Sequence, residues 1–264
     1  SSRATVVSLR LEMLQVARLA PSLLREAANP VADFFLSQFT DDGGVMNRNG
    51  KSDLYYTVFG LEGLTALQHE LPPRTQQFLE SFGDGEHLDL VHLCCLARCW
   101  SALNQSGPEL ASQISVRWDR GNVYHSFLAW GALQDLGYKP EPFVLKDDSL
   151  AITTPTTAAA VTLLRQMQSR VPESAVSWLK ARAHPAGGFC ATPDTPMPDL
   201  LSTATALHAL SGQHVSLAPL KENTLDFLDT LWTGKAFCGN WADDEVDCEY
   251  TYYALLSMGH LSLA

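Results

Sequence analysis

Basic residues are scarce in this chain. It has 18 lysines and arginines against 29 aspartates and glutamates, which gives a formal net charge of −11. A protein that holds nucleic acid or an anionic membrane through phosphates needs a basic patch. The composition therefore predicts that neither is the main partner.

Three further features are absent. Apolar runs such as residues 156–164 are too short to cross a bilayer, and the first residues have no signal-peptide core. No segment alternates apolar and polar residues with a period of two, so strands are not indicated. No Cys-x-x-Cys pair occurs among the six cysteines, which argues against finger or ribbon zinc sites. Buried free thiols in a reducing compartment follow, and we expect a cytoplasmic protein.

A repeated pattern is the strongest signal that is present. It reads Asp, three residues, Thr, two residues, Ala or Gly, Leu, two residues, Leu or Met, with Asn or Thr replacing Asp in some copies. The clearest copies follow small-residue turns at Gly43-Gly44-Val45, Gly187-Gly188-Phe189 and Gly239-Asn240-Trp241. The six copies begin at Asp53, Asp89, Asn122, Thr153, Asp199 and Asp247.

Each copy predicts the start of a buried inner helix. Asp, Asn and Thr are the residue types that cap helix N-termini, and apolar residues follow at helical spacing. Between the copies lie amphipathic segments that mostly begin with Pro, a helix-start signal that predicts outer helices. Residues 8–28 predict a further N-terminal helix. The outer segments are 30–39, 73–82, 108–118, 172–183, 219–232 and a shorter, weaker one at 140–146.

The pattern predicts an all-α protein. We expect one domain over residues 1–264, with an N-terminal helix within 1–29 and six helix pairs over 30–264. Inner helices that are apolar nearly all round can bury themselves by closing into a ring, an (α/α)6 toroid with a central apolar funnel. An open superhelix of stacked repeats is the alternative arrangement.

These motifs resemble the α/α-toroid superfamily of protein prenyltransferase β subunits and squalene or terpene cyclases. The carrying segments are Gly187-Gly188-Phe189 with 199–210, and Gly239-Asn240-Trp241 with 247–255. The resemblance runs from about residue 30 to the end. It implies a funnel, entered at the helix starts, that holds an isoprenoid chain.

The resemblance also implies two chemistries, and this chain departs from both. The zinc ligands of the prenyltransferases transfer to Asp199, Leu201 and Tyr250, of which only the Asp is retained. The proton-donating Asp of the cyclases transfers to Leu201. We therefore predict no cofactor, with zinc on Asp199 and Cys248 as a weak alternative.

The third and fourth residues of each copy are expected to point into the funnel. We predict catalytic roles for Glu249, Tyr250, His125 and Tyr56, because polar groups at the mouth of an apolar cavity are typical of small-molecule sites. Helix N-termini there favour an anion such as diphosphate, with Arg120 nearby. Cys248 is also a candidate nucleophile, since a first-turn position lowers a thiol pKa. Substrate contacts are predicted for Tyr55, His92, Tyr124, Thr156, Ser202, Trp241 and Cys248.

The sequence leaves three functions open. The first is an isoprenoid-handling enzyme that uses acid–base or carbocation chemistry without the family zinc. The second is a non-catalytic toroid that binds a lipid or a partner protein. The third is a prenyltransferase β-like subunit that needs a partner chain, with zinc ligands rebuilt from Cys248 or Cys190.

Overall fold

Helices make up nearly all of the regular structure of the molecule. The structure is a computed structural model that describes residues 7–145 and 150–264. A short antiparallel pair, β1 (Val45–Met46) and β2 (Ser52–Asp53), precedes the first inner helix. The α-helices are α1 (Leu9–Ala17), α2 (Pro21–Leu24), α3 (Ala28–Ser37), α4 (Leu54–Ala66), α5 (Thr75–Glu80), α6 (Leu90–Ala102), α7 (Ala111–Arg117), α8 (Val123–Asp135), α9 (Thr154–Gln166), α10 (Glu173–Lys180), α11 (Leu200–Gly212), α12 (Lys221–Thr230) and α13 (Cys248–Ser262).

The six inner helices begin where the repeated pattern predicts. The lead residue of every copy is the N-cap, and its side-chain oxygen accepts a hydrogen bond from a backbone N–H of the first turn. Asp53 accepts from two such groups, Tyr55 N–H at 2.8 Å and Tyr56 N–H at 3.4 Å. The predicted helix starts are therefore confirmed for α4, α6, α8, α9, α11 and α13.

In three copies the Thr of the pattern joins the inner helix to the loop before it. Thr57 Oγ1 donates to the carbonyl of Asp53 and accepts from the N–H of Val45, at 2.7 and 2.9 Å. This buried hydroxyl satisfies two backbone groups at once, which the residue spacing alone did not indicate. The same N–H to hydroxyl bond joins Phe189 to Thr203 and Phe237 to Thr251.

Those bonds correct one of the predicted turns. Phe237, and not Trp241, occupies the place that Val45 and Phe189 hold in the other clear copies. The Gly-Asn-Trp segment is an additional turn between that residue and the start of α13. Phe237 stands ten residues before the lead Asp247, as Phe189 does before Asp199, so the distance to the cap marks the equivalent residue and the Gly-Asn-Trp sequence does not.

The double-glycine turns need glycine because the following outer helix lies against them. Gly187 has φ +95°, and a Cβ on it would lie 1.8 Å from the carbonyl oxygen of Asn223 in α12. Gly43 has φ +92°, and a Cβ there would lie 2.3 Å from the carbonyl oxygen of Arg74, just before α5. A side chain at either place meets both backbone strain and a clash.

The inner helices form a closed ring. In order around the ring, α4 packs on α6, α6 on α8, α8 on α9, α9 on α11 and α11 on α13, and α13 packs back on α4. We call the contact between α13 and α4, where the ring closes, the seam. Arg48, in the turn between β1 and β2, joins the two sides of the seam by ion pairs with Asp243 at 2.8 Å and Asp247 at 2.7 Å. The toroid is confirmed, and the open superhelix is wrong.

The outer layer is less regular than the sequence predicts. Residues 7–145 and 150–264 contain five outer helices, namely α3, α5, α7, α10 and α12, and most are shorter than their predicted segments. The weakest prediction fails: residues 140–145 form no helix, and residue 146 lies outside the described part of the chain. Two prolines, Pro140 and Pro142, stand within this short stretch, and each removes a backbone donor.

The N-terminal segment is three short elements and not one helix. α1 ends at Ala17, α2 begins with Pro21 at its first position, and a 3-10 turn over Arg25–Ala27 follows. Pro21 cannot donate to the preceding turn, and Arg25 has φ 52°, so the helix cannot continue through either residue.

α1 lies across the end of the ring where the inner helices finish. Arg10 pairs with Glu62 at 3.4 Å and with Asp135 at 3.2 Å. Glu12 pairs with Arg165 and, at 3.3 Å, with His208. Since these partners sit on four different inner helices, α1 closes this end of the ring. We call this end the floor, and the end with the inner-helix starts the mouth.

The helices are too short or too polar for a bilayer. Over residues 7–145 and 150–264, none combines the length and the apolar character that a transmembrane helix needs.

Candidate functional site

The mouth is partly open to solvent. The third residue of each copy faces the ring axis from the first helical turn, and none of the six is fully buried. Tyr124 is the most open, at 46% exposure. One helical turn deeper, Ala159, Thr205 and Tyr253 are also only partly buried, so solvent reaches at least two turns into the ring. The third residues are Tyr55, Val91, Tyr124, Pro155, Leu201 and Glu249.

A carboxyl–phenol pair lies within this mouth. Tyr55 Oη, on α4, donates to Glu249 Oε1, on α13, over 2.6 Å. Burial raises the pKa of Glu249 to about 7, although the bond from Tyr55 opposes the shift. This carboxyl is therefore present in both protonation states near neutral pH, which is the condition for general acid–base chemistry.

The tyrosines around this pair stay protonated at neutral pH. Burial raises the pKa of Tyr56, Tyr124 and Tyr250 to about 12. Burial, together with the charge of Glu249, raises the pKa of Tyr55 further. These phenols are thus hydrogen-bond donors with apolar rings, suited to a ligand with one polar group on an apolar body.

The two sides of the axis differ in bulk. On α4 and α13 the rings of Tyr55, Phe59 and Tyr253 pack against one another, with centroids 5.1 Å apart for Tyr55–Phe59 and 5.5 Å for Phe59–Tyr253. On the facing helix α9, the small side chains of Thr156 and Ala159 remain partly exposed. The α9 side of the axis is therefore less bulky than the aromatic side formed by α4 and α13.

The predicted histidines occupy different settings. His92 lies on the surface, where its Nδ1 bonds the capping carboxylate of Asp89 at 2.8 Å. His125 is half-buried, and its Nδ1 has no hydrogen-bond partner among the described residues. His125 Nδ1 is thus a buried polar atom without a partner in the described part of the chain, whereas His92 already bonds the cap of its own helix.

The charges around the mouth disfavour a diphosphate. Arg120 stacks on Trp118, with its guanidinium carbon 4.7 Å from the ring centroid. Arg48 is taken up by Asp243 and Asp247 at the seam, and carboxylates cap most of the inner helices. The carboxylate caps and the paired Arg48 disfavour an anion at the helix starts, and the anion site stays a prediction.

Two predicted substrate contacts lie away from the axis. Trp241 is 44% exposed, donates from Nε1 to Thr230 at 2.8 Å and packs on Phe227 of the outer layer. Cys248 is buried in the core, where burial raises its thiol pKa well above the usual value, so the helix N-terminus does not activate it. The prediction of a nucleophilic Cys248 is wrong for this reason.

Thr156 and Ser202 act mainly on their own helix starts. Thr156 accepts from the hydroxyl of Thr153 at 2.9 Å and stays partly exposed. Ser202 is buried, and its N–H and Oγ both bond Asp199 at 2.7 Å. Of the two, only Thr156 can reach a ligand in the ring.

The residues at the family zinc positions do not fit the metal. Both oxygens of Asp199 are occupied by Ser202, Leu201 has no donor atom, and Tyr250 stays a neutral phenol. Cys248, the weak alternative, lies in the apolar core. Among residues 7–145 and 150–264, no group of three His, Cys, Asp or Glu side chains has a metal-binding arrangement.

Sequence reasoning missed Thr205, Tyr253 and Arg98. The first two stand at the seventh position of their copies and Arg98 at the tenth, one and two turns below the third position. Residues four and seven positions after the third residue of a copy lie on the same face of the helix. Following that face along each helix would have identified all three.

Comparison with known proteins agrees with the geometry. No curated protein matches the chain in sequence. The profile of the prenyltransferase alpha-alpha toroid domain matches residues 12–111 and 122–263, which is most of the chain. The closed ring of inner helices and this match lead to one conclusion: the chain belongs to the prenyltransferase alpha-alpha toroid domain family.

Proposed function

We propose that this protein binds an isoprenoid-like apolar molecule in its ring and acts on it by acid–base chemistry, with Glu249 as proton donor and acceptor. The observation that carries the proposal is the Glu249–Tyr55 pair. It puts a carboxyl with a pKa of about 7 at the open end of an aromatic-walled ring. A charged residue in such a place is costly without a role.

The raised pKa also selects the type of reaction. A carboxyl that ionises near neutral pH is too weak an acid to protonate an isolated alkene, but it exchanges protons readily with oxygen or nitrogen groups. Leu201 stands where the cyclases have their acidic Asp. Proton transfer at a polar group of the substrate is therefore favoured over carbocation chemistry started by the protein.

The other predicted residues have supporting roles in this scheme. Tyr55 orients the Glu249 carboxyl through its short hydrogen bond. Tyr56 and Tyr124 supply aromatic surface and O–H donors at the rim, and half-buried His125 stands beside Tyr124 in the same helical turn. Tyr250 lies under the Arg48 guanidinium, 5.5 Å from its carbon, which fixes the ring beside Glu249. None of these roles needs the family zinc.

Non-catalytic binding of a lipid is the second candidate. It is favoured by the edge-to-face cluster of Tyr55, Phe59 and Tyr253, which occupies one side of the axis and narrows the path to the floor. A ring that only holds a ligand needs no proton donor. This candidate therefore does not explain why the pKa of Glu249 is raised.

The test begins with the ligand. Mass spectrometry of small molecules that co-purify with the protein identifies the chemical class of its ligand. Incubation with isoprenoid alcohols, aldehydes and acids, followed by product analysis, then shows whether the protein converts them. Glu249→Gln is expected to bind the substrate but to lose turnover at least about 100-fold, the usual contribution of a general acid or base.

Glu245→Gln is the matched control, since this nearby carboxylate is 61% exposed and outside the ring. Unchanged turnover in Glu249→Gln would show that the assigned role is wrong. Binding without turnover by the unaltered protein would favour the second candidate.

A further inference from the structure

Arg98 is a cation placed deep inside the ring. It stands at the tenth position of its copy, on α6, and faces Glu62 of α4, Asp135 of α8 and Tyr252 of α13. Its Nε lies 4.0 Å from Oδ2 of Asp135, the last residue of α8, so the guanidinium lies at the level of the floor.

Arg98 lies in the field of two carboxylates, but its guanidinium makes no hydrogen bond to the described residues. Its Nε lacks a hydrogen bond to any described residue, and the nearest carboxylate oxygen, Asp135 Oδ2, is 4.0 Å away. The side chain nevertheless keeps 17% of its surface accessible, although the ring encloses it on all sides. Accessible surface at this depth means that an internal space adjoins the guanidinium.

The nearby acids are already engaged by another cation. Arg10, on α1, bonds both Glu62 and Asp135, whose side chains are each 1% exposed. Asp135 Oδ2 and Tyr252 Oη are themselves without hydrogen bonds in the described parts of the chain. A buried guanidinium with unused N–H groups is costly unless water or a ligand satisfies it.

We infer that Arg98 binds the oxyanion end, carboxylate or phosphate, of an amphipathic ligand whose apolar chain runs up the aromatic wall toward the mouth. This inference rests on the proposed function, because it specifies the ligand of the same ring. A guanidinium matches both oxyanions through paired N–H donors, and Tyr253 lies between it and Glu249.

The geometry sets the length of the chain. From the tenth to the third position of a copy there are seven residues, a rise of about 10 Å along an α-helix. A geranyl chain is about this long. A ligand held at Arg98 therefore places its distal end near Glu249, so the polar group that exchanges protons with Glu249 must stand at that end of the chain.

The experiment compares three probes with the same chain: geranic acid, geranyl monophosphate and geraniol. Their binding to the full chain is measured by isothermal titration calorimetry. We expect at least one of the two anions to bind about 10- to 100-fold more tightly than geraniol, the effect of a hydrogen-bonded charge pair. Which anion is preferred separates a carboxylate from a phosphate ligand.

Two variants locate the preference. Arg98→Met is expected to abolish the preference for an anionic probe over geraniol. Arg98→Lys keeps a cation and is expected to retain part of that preference, which separates loss of the charge from poor folding. Arg48→Met is the control, since Arg48 is already saturated by Asp243 and Asp247 at the seam.

Each outcome decides the inference. Loss of the preference in Arg98→Met with retention in Arg48→Met supports it. Equal binding of all three probes, or a preference that survives Arg98→Met, overturns it and leaves the proposed function in place. If no probe binds, both this inference and the proposed isoprenoid ligand fail together.

Discussion

The two ends of the ring are built for different purposes. At the floor, polar side chains of four inner helices meet Arg10 and Glu12 of α1, and Glu62, Asp135 and His208 are almost fully buried there. At the mouth, tyrosines and Glu249 stay partly accessible, and the main ion pairs lie on the rim at the seam. The contrast suggests that α1 supplies stability, whereas the mouth retains groups that stability alone does not require.

Replacing Arg10 should have the largest effect on stability. Arg10→Ala leaves Glu62 and Asp135 buried without this partner, and breaking a buried ion pair costs about 3–5 kcal/mol. Arg48→Ala should cost less, about 1–3 kcal/mol, because the Arg48 side chain is 30% exposed although its partner Asp247 is only 4% exposed. Urea unfolding measures both. Similar losses in the two variants would contradict the contrast between floor and rim.

A pair of glycines tests how closely α1 packs. A Cβ on Gly259 would lie 2.0 Å from the carbonyl oxygen of Val16, so Gly259→Ala should cost about 3 kcal/mol by forcing α1 away. A Cβ on Gly131 would meet Leu9 at an ordinary 3.7 Å. Gly131→Ala should therefore be neutral, or stabilising by up to about 1 kcal/mol through helix propensity. Thermal or urea unfolding measures the free energy of unfolding of both variants. Equal changes in the two would show that α1 does not pack on α13 as described.

The mouth makes its own prediction about pH. The folded-state pKa of Glu249, about 7, lies above the ordinary 4.5, so folding takes up a proton between these values. Stability from this group is complete below pH 4.5 and is lost as the pH rises through 7. Glu249→Gln cannot ionise, so it should gain on the unaltered protein by at most about 3 kcal/mol between pH 4.5 and 8. A stability difference that does not change with pH would show that the carboxyl is not buried as described.

The smallest effect is expected from the caps. Asp89 accepts from the N–H of His92 at 2.9 Å, so Asp89→Ala should cost about 1 kcal/mol and Asp89→Asn only a few tenths. Chemical unfolding measures the difference. Loss of any turnover in Asp89→Asn, with stability intact, would show that this acid does more than cap a helix.

Local signals in the sequence predicted the mouth better than the floor. The N-caps and the inner helices follow from neighbouring residues, and Asp53 or Asn122 can be recognised without knowing the fold. The position of α1 depends on contacts more than one hundred residues away, such as Leu9 N–H with the Gln134 side chain. No local pattern encodes such a contact, so the charged floor was not predicted.

The same reasoning explains the mixed result for the candidate site. Glu249 and Tyr55 could be found because the third position of a capped helix always faces the axis once the ring is assumed. Cys248 and Trp241 were assigned from residue type or from a turn of similar letters, and both lie outside the ring axis. The register along the helix was a better guide than the chemistry of the residue.

Thiol labelling tests the open mouth and the closed floor most directly. The six native cysteines are all buried, so a small charged thiol reagent should react slowly with the unaltered protein. Thr205→Cys, on the partly exposed level below the mouth, should react quickly in the folded protein. Thr162→Cys, on the floor level at 2% exposure, should react only as the protein unfolds. Fast labelling at Thr205 alone is the predicted result, and equal rates at the two positions would contradict a ring open at one end and sealed at the other.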